Sequence, residues 1–155
     1  MSEISKEELD ERVAIVKRFR ALLSAQRKKF ETYLHALETH EHSIESEDAD
    51  SLLAHTELEQ TIIEGISNMQ KVIVPMSVLY NEKNQTKDEA VSKLEHDLKV
   101  LQNKVLVQNE KNRNLLRVHI ANIQNKMRAL RNPYRGNKSV YTHSEKVGSL
   151  VEVQA

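Results

Sequence analysis

A seven-residue apolar repeat in the first 44 residues constrains the fold more than any other feature of this sequence. A repeat of this period, held over several turns, is typical of a helix that packs along its length on another helix. Arg20, Arg27 and Glu41 stand at seam positions where a symmetric parallel coil prefers leucine, so the sequence predicts an antiparallel partner helix from the same chain. The repeat consists of Leu9, Val16, Leu23, Phe30, Leu37 and Ile44.

An acidic break at 46–50 separates this helix from a second one. Carboxylates near a helix start suit the helix dipole, and either Ser46 or Asp48 can serve as the N-cap. Because Pro75 lacks an amide hydrogen, we expect the second helix to kink or end near Val74.

The third helix is predicted to follow a polar connection at 81–85. Thr86 and Glu89 match the capping-box pattern, in which a hydroxyl and a carboxylate three residues apart satisfy the first amide groups. Apolar residues at intervals of three and four then extend the helix to about Arg131. Residues 132–155 contain two of the three glycines and little periodicity, which predicts a flexible tail.

These elements predict one helical coiled-coil domain over 1–131 and a flexible C-terminal tail over 132–155. The expected fold class is all-α, an elongated antiparallel three-helix coiled coil. The 155 residues include 3 Gly and 2 Pro, fewer turn residues than a β-sandwich or barrel requires.

Composition also weighs against several functional classes. The 23 basic and 23 acidic residues give a formal net charge of +0, which removes the simplest argument for nucleic acid or acidic lipid as a partner. With 0 Cys the chain has no thiolate metal site and no cysteine nucleophile. Since no catalytic motif is recognisable either, we expect a protein that is not an enzyme and takes no cofactor.

The expected location is the cytoplasm. No apolar run approaches the ~20 residues that a membrane-spanning helix requires, so membrane insertion is not expected. The first residues are polar and lead directly into a charged amphipathic stretch, which does not resemble a secretory signal peptide.

One face of the first helix carries alternating carboxylate and imidazole groups at Glu31, His35, Glu38 and His42. This spacing can chelate a divalent metal ion in a helical bundle. Such bundles need matching ligands on a second helix, and the other helices do not supply them. The pattern therefore favours a solvated face over a metal site.

The third helix is basic, with ten Lys or Arg against five Asp or Glu between 87 and 131. Nucleic-acid binding is not favoured, because the basic residues are interleaved around the helix and no aromatic side chains offer a stacking surface.

Segment 109–116, with the sequence NEKNRNLL, interrupts the apolar seam of the third helix. One interpretation is a register device, because asparagine at a core position specifies helix alignment at some cost in stability. The other is a surface wider than one partner helix can cover, suited to binding the helix of another protein. The candidate binding residues are Asn109, Asn112, Leu115, Leu116, Ile120, Ile123, Met127 and Leu130.

Three stretches resemble the FlgN-type flagellar export chaperones, and they occur in the family's order. The acidic break at 44–52 is similar to the transition before the family's second helix, and 109–116 is similar to its Asn-x-x-Asn-x-x-Leu-Leu signature. Segment 139–147, which contains Tyr141, is similar to the family's tyrosine-centred C-terminal segment.

This resemblance implies a cytoplasmic chaperone that binds hook–filament junction proteins, keeps them unpolymerised and delivers them to the export gate. It implies that the third helix holds the cargo and that Val140 and Tyr141 contact the cytoplasmic domain of the export gate. The alternative is a structural coiled-coil protein that self-associates through the heptad face of the first helix without cargo. A weak homodimer is compatible with the chaperone.

Overall fold

The computed structural model describes residues 4–84 and 86–131. They form α1 (Lys6–Glu45), α2 (Ala49–Lys83) and α3 (Glu89–Arg131), of 40, 35 and 43 residues. The three helices pack against each other, which confirms the all-α fold. The prediction of a flexible tail concerns residues outside the described part of the chain.

Both α2 and α3 pack on α1, and they contact one another only sparsely. α2 is antiparallel to α1, since the ring of Phe19 near the start of α1 lies 4.9 Å from that of Tyr80 near the end of α2. This is the antiparallel partner that the heptad repeat predicts. Because the chain reverses direction again after α2, α3 runs parallel to α1.

Ion pairs along the α1–α3 seam match this parallel direction. In the first half α1 supplies the cation, and Arg27 Nη1 lies 3.0 Å from Asp97 Oδ2. In the second half α1 supplies the carboxylate, and Glu41 pairs with Lys111. An antiparallel α3 would bring Arg27 towards Lys111 and Glu41 towards Asp97, opposing like charges. The seam positions that lack leucine, including Arg20 beside Asp88, therefore face α3.

A Schellman motif ends α1. The amide of Glu47 donates to the carbonyl oxygen of Ile44, and that of Asp48 donates to the carbonyl oxygen of Ser43, both at 3.1 Å. Glu47 has φ 53°, the left-handed conformation in which glycine is usual. Of the two predicted N-caps, Asp48 caps α2: its side-chain Oδ1 accepts a hydrogen bond from the main-chain amide of Ser51, with 3.3 Å between the two atoms.

Of the two predicted alternatives at Pro75, a kink or an end near Val74, the end is wrong, because α2 continues through Pro75 to Lys83. The proline removes the hydrogen bond to the carbonyl oxygen of Lys71. Both Pro75 and Lys71 are exposed, so water can satisfy that oxygen and the helix persists.

The start of α3 also differs from the prediction by two to three residues. α3 begins at Glu89, and the Asp88 carboxylate accepts the amide of Val91 at 3.2 Å. Asp88 is therefore the N-cap in place of Thr86. The Asp88 amide in turn donates to the hydroxyl of Tyr80 at 2.7 Å, which joins the end of α2 to the start of α3.

Two apolar clusters form the core. The first lies towards the α2–α3 turn and contains Ile15, Phe19, Leu23, Ile73, Tyr80, Val91, Leu94 and Leu98. The second lies near the α1–α2 turn and contains Ile44, Leu52 and Ile123, with Leu115, Leu116 and Met127 packed against it. Among the described residues, no helix is both long and apolar enough to cross a membrane.

Candidate binding groove

An open groove of about 450 Å³ lies between the first turns of α2 and the C-terminal part of α3. His40 of α1 lies at its base, and Leu52 and Thr56 of α2 form one wall. The opposite wall consists of α3 residues between 113 and 131. The groove exists because α2 and α3 both pack on α1 without closing on each other.

The apolar part of the groove continues the second core cluster. Ile44, Leu52 and Ile123 are each less than 5% exposed and form a fixed base. Leu116 and Met127 are half-buried and extend this base along α3. The wall of α3 therefore presents an apolar stripe whose inner edge is anchored in the core.

Four of the eight predicted binding residues line this groove: Leu116, Ile120, Ile123 and Met127. Leu115 packs against the second core cluster instead. Leu130 is 46% exposed but does not belong to the lining.

Asn109 and Asn112, which were predicted as binding residues, face α1 rather than the groove. Asn112 is 4% exposed, and its Nδ2 donates to the carbonyl oxygen of Leu37 at 2.9 Å. Its Oδ1 accepts from Gln108 Nε2 at 2.9 Å, and Asn109 Nδ2 donates to the Tyr33 hydroxyl at 3.3 Å. These contacts favour the register interpretation of the two asparagines.

The carboxylate of Glu47 holds the groove-bearing part of α3 against the α1–α2 turn. Its oxygens lie 3.0 Å from His119 Nδ1, 3.1 Å from Asn122 Nδ2 and 3.6 Å from Lys126 Nζ. The hydrogen bonds from His119 and then Asn122 lower the pKa of Glu47 from its ordinary value. The acidic break at 46–50 marks this position in the sequence. The partners of Glu47 could not be identified from it, because His119 and Asn122 lie more than 70 residues away in the chain.

The role of His40 was not predicted from the sequence either. Its Nδ1 lies 2.7 Å from Glu59 Oε1, and its ring stacks on that of His55 at 5.3 Å between centroids. Both side chains of the His40–Glu59 pair are largely buried. The pair ties α1 to α2 under the groove and fixes the position of its base.

The predicted solvated face of α1 is exposed at each of its four positions, Glu31, His35, Glu38 and His42. Within 4–84 and 86–131, no three acidic or histidine side chains are arranged to hold a metal ion.

Four arginines border the apolar stripe: Arg113, Arg117, Arg128 and Arg131. In the described part of the chain, no Asp or Glu belongs to the lining. The groove therefore combines an apolar base with a positively charged border, an arrangement that can receive an amphipathic segment.

The chain is 36% identical over 150 residues to a protein of Treponema pallidum (strain Nichols) that carries the name "Uncharacterized protein". The match covers 97% of this chain and 96% of that protein. This chain belongs to the same family as the treponemal protein. Because the match covers nearly the whole length of both, family membership includes the helices that form the groove. No protein-family model and no solved structure matches the chain.

Proposed function

We propose that this protein is a cytoplasmic chaperone of flagellar type III export that binds hook–filament junction proteins and delivers them to the export gate. The observation that supports the proposal is the open apolar groove on α3, anchored at Ile123 and bordered by Leu116 and Met127. A chaperone of this kind needs a site for an amphipathic segment, and an open apolar groove can be such a site.

The physical requirement is protection of an amphipathic segment. Subunits that polymerise through terminal helices expose an apolar face before assembly, and such a face associates prematurely. Burial of that face in a groove removes the apolar surface from water and keeps the subunit unpolymerised. The anchored stripe on α3 offers this burial without a rearrangement of the core.

The identity of the cargo rests on the sequence resemblance at 44–52, 109–116 and 139–147. In the proposed mechanism the groove holds a terminal segment of the junction protein, while Val140 and Tyr141 contact the cytoplasmic domain of the export gate. Those two residues lie outside the described residues. Asn109 and Asn112 act indirectly, because they hold α3 in register on α1.

The alternative, self-association through the heptad face of α1, has less surface to use. Leu23, Leu37 and Ile44 of that face are buried within the chain. Leu9 and Val13, at 53% and 48% exposure, remain accessible at the start of α1. A weak homodimer through this end is compatible with the chaperone proposal.

Size-exclusion chromatography with light scattering tests the proposal on the protein alone and mixed with the hook–filament junction proteins of the same cell. We expect a defined complex with one of them. A tight homo-oligomer that binds none of them would contradict the proposal and favour the structural coiled coil.

A matched pair of variants then locates the cargo. Ile120→Asp places a charge in the groove wall and should abolish the complex, because a carboxylate opposes burial of the cargo's apolar face. Val118→Asp is the control, since Val118 is 78% exposed on the same helix outside the groove. If both variants bind equally well, the cargo binds elsewhere.

A third variant separates delivery from binding. Tyr141→Ala should leave the complex intact in chromatography and reduce secretion of the junction protein. Normal secretion by this variant would contradict the role assigned to the tail.

A further inference from the structure

We infer that the groove selects an amphipathic helix that carries carboxylates along one edge of its apolar stripe, and that Arg117 and Arg128 pair with those carboxylates. The inference rests on the proposed function for the site and specifies the chemistry of its partner. It depends on how the positive charges of α3 are distributed between its two sides.

On the side of α3 that faces α1, basic side chains are matched within the chain. Lys111 pairs with Glu41, which raises the pKa of Lys111, and Lys126 lies 3.6 Å from Glu47. These contacts leave little positive charge on the inner side of the helix.

On the groove side, the arginines contact neutral groups. Arg117 Nη1 bonds to Asn114 Oδ1 at 3.4 Å, and Arg128 Nη2 bonds to Asn125 Oδ1 at 2.6 Å. Both partners are amides three residues away on the same helix, so they orient the guanidinium groups without neutralising them.

Arg113 has a weak partner. It lies 4.0 Å from Glu110, and both side chains are more than 60% exposed. Exposed pairs of this kind contribute little to stability, so the guanidinium can exchange its partner at low cost. Among the described residues the groove lining therefore carries several guanidinium groups and no carboxylate.

The form of the groove indicates a helical occupant. Its α3 wall extends from Arg113 to Arg131, which corresponds to about 27 Å or five turns. The apolar residues Leu116, Ile120, Ile123 and Met127 follow each other at intervals of four, three and four, the spacing at which one helix packs on another.

The charged border indicates carboxylates on that helix. Guanidinium groups form two parallel hydrogen bonds with carboxylates, and this pairing adds directional specificity to the apolar contact. Nucleic acid fits less well, because among the described residues no Phe, Tyr or Trp lines the groove to stack a base, and the ring of His40 already stacks on His55.

The test uses the full chain and two synthetic 18-residue peptides with the same leucine–isoleucine stripe. One peptide carries glutamate along one edge of the stripe, and the other carries lysine at the same positions. Fluorescence anisotropy should show that the glutamate peptide binds at least about tenfold more tightly at low salt, with the preference falling as salt screens the charges. Equal binding of the two peptides would overturn the inference.

Charge reversal provides the decisive variant. The double variant Arg117→Glu, Arg128→Glu should bind the lysine peptide more tightly than the glutamate peptide. Lys93→Glu is the control, because Lys93 is exposed on α3 outside the groove and its reversal should leave the preference unchanged. Circular dichroism checks the fold. The double variant Arg117→Gln, Arg128→Gln should reduce the preference without introducing repulsion, since Arg113 and Arg131 remain.

Two further outcomes separate this inference from the proposed function and from a lipid ligand. If junction proteins fail to bind while the glutamate peptide binds with the stated preference, the charge selectivity is supported and the export function is contradicted. If junction proteins bind and ignore the double reversal, the charge selectivity is overturned and the export function stands. Displacement of the peptide by vesicles of anionic phospholipid, sensitive to the same reversal, would also overturn a helical partner.

Discussion

The buried carboxamide of Asn112 on α3 donates a hydrogen bond to the main-chain oxygen of Leu37 on α1, 2.9 Å away. The side-chain oxygen of Asn112 also accepts a hydrogen bond from Gln108. Both ends of the Asn112 carboxamide are therefore held, which determines its orientation. A slip of α3 along α1 would separate the pair and leave a buried amide unsatisfied, so this contact specifies one alignment of the two parallel helices.

Replacing Asn112 with alanine should therefore destabilise the fold by about 1–3 kcal/mol, the usual cost of a lost buried hydrogen bond. The measurement is urea denaturation followed by circular dichroism. Asn114→Ala is the control, because Asn114 is exposed and bonds only to Arg117 on the same helix among the described residues. A change within about 0.5 kcal/mol is expected there. Equal effects of the two variants would contradict a special role for Asn112.

Tyr80→Phe should lower stability by about 1–2 kcal/mol, because the amide of Asp88 loses its acceptor while the ring packing on Phe19 remains. Tyr33→Phe removes a longer and less buried hydrogen bond, that from Asn109, and should have a smaller effect. Thermal denaturation of both variants measures the difference. If Tyr33→Phe proves the more damaging, the hydroxyl of Tyr80 does not couple the end of α2 to α3.

Stability should fall in acid because several carboxylates near the α1–α2 turn have lowered pKa values. The pKa of Glu41 is lowered from 4.5 by the hydrogen bond from Lys111 and then by that from Gln108. The pKa of Asp48 is lowered from 3.8 by Ser51. A carboxylate whose pKa is lower in the folded state than in the unfolded state stabilises the fold fully at pH values above its ordinary pKa. This stabilisation is lost as the pH falls below the ordinary pKa.

The pairing of Lys111 with Glu41 also acts at the alkaline end. This contact raises the pKa of Lys111 from 10.5. The stabilisation of the fold by the pair is therefore complete below pH 10.5 and is lost as the pH rises above that value. Lys111→Gln should therefore flatten the dependence of unfolding free energy on pH at both ends. Glu47→Gln should flatten the acidic end alone, and an alkaline effect of that variant would contradict the assignment.

Glu47 combines a left-handed backbone with three side-chain contacts to α3, and substitutions separate the two effects. Glu47→Ala loses the contacts and keeps the unfavourable φ, whereas Glu47→Gly loses the contacts and relieves it. We expect both variants to be less stable than the parent at pH 7, and Glu47→Gly to be more stable than Glu47→Ala. The stability that the lowered pKa of Glu47 contributes is lost as the pH falls, so the deficit of the glycine variant should be smaller at pH 3 than at pH 7. Denaturation at the two pH values measures this change.

How much could be predicted from the sequence depended on the separation of the interacting residues. The heptad from Leu9 to Ile44 and the 3–4 spacing after Leu115 depend on neighbours within one helix. Helices α1 and α3 could therefore be predicted, and four of the predicted binding residues line the groove. The end of α2 could not be predicted, because whether a helix continues past a proline depends on the tertiary surroundings, and Lys71 and Pro75 are both exposed.

The remainder required contacts between distant segments. Arg27 and Glu41 interrupt the heptad when α1 is considered alone, and their partners Asp97 and Lys111 lie 70 residues away in the chain. The asparagines of 109–116 allowed two interpretations for the same reason. Their orientation towards α1 depends on Leu37 and Tyr33, and nothing within the segment itself indicates it.

The sparse contact between α2 and α3 has a consequence for any guest helix. In a closed three-helix bundle, an additional helix must displace one of the three helices, and the bundle loses the contacts that the displaced helix made. Here α2 and α3 contact each other only sparsely, and the groove between them is open. A fourth helix would complete the bundle by replacing solvent rather than protein, and the host would keep every contact it already has.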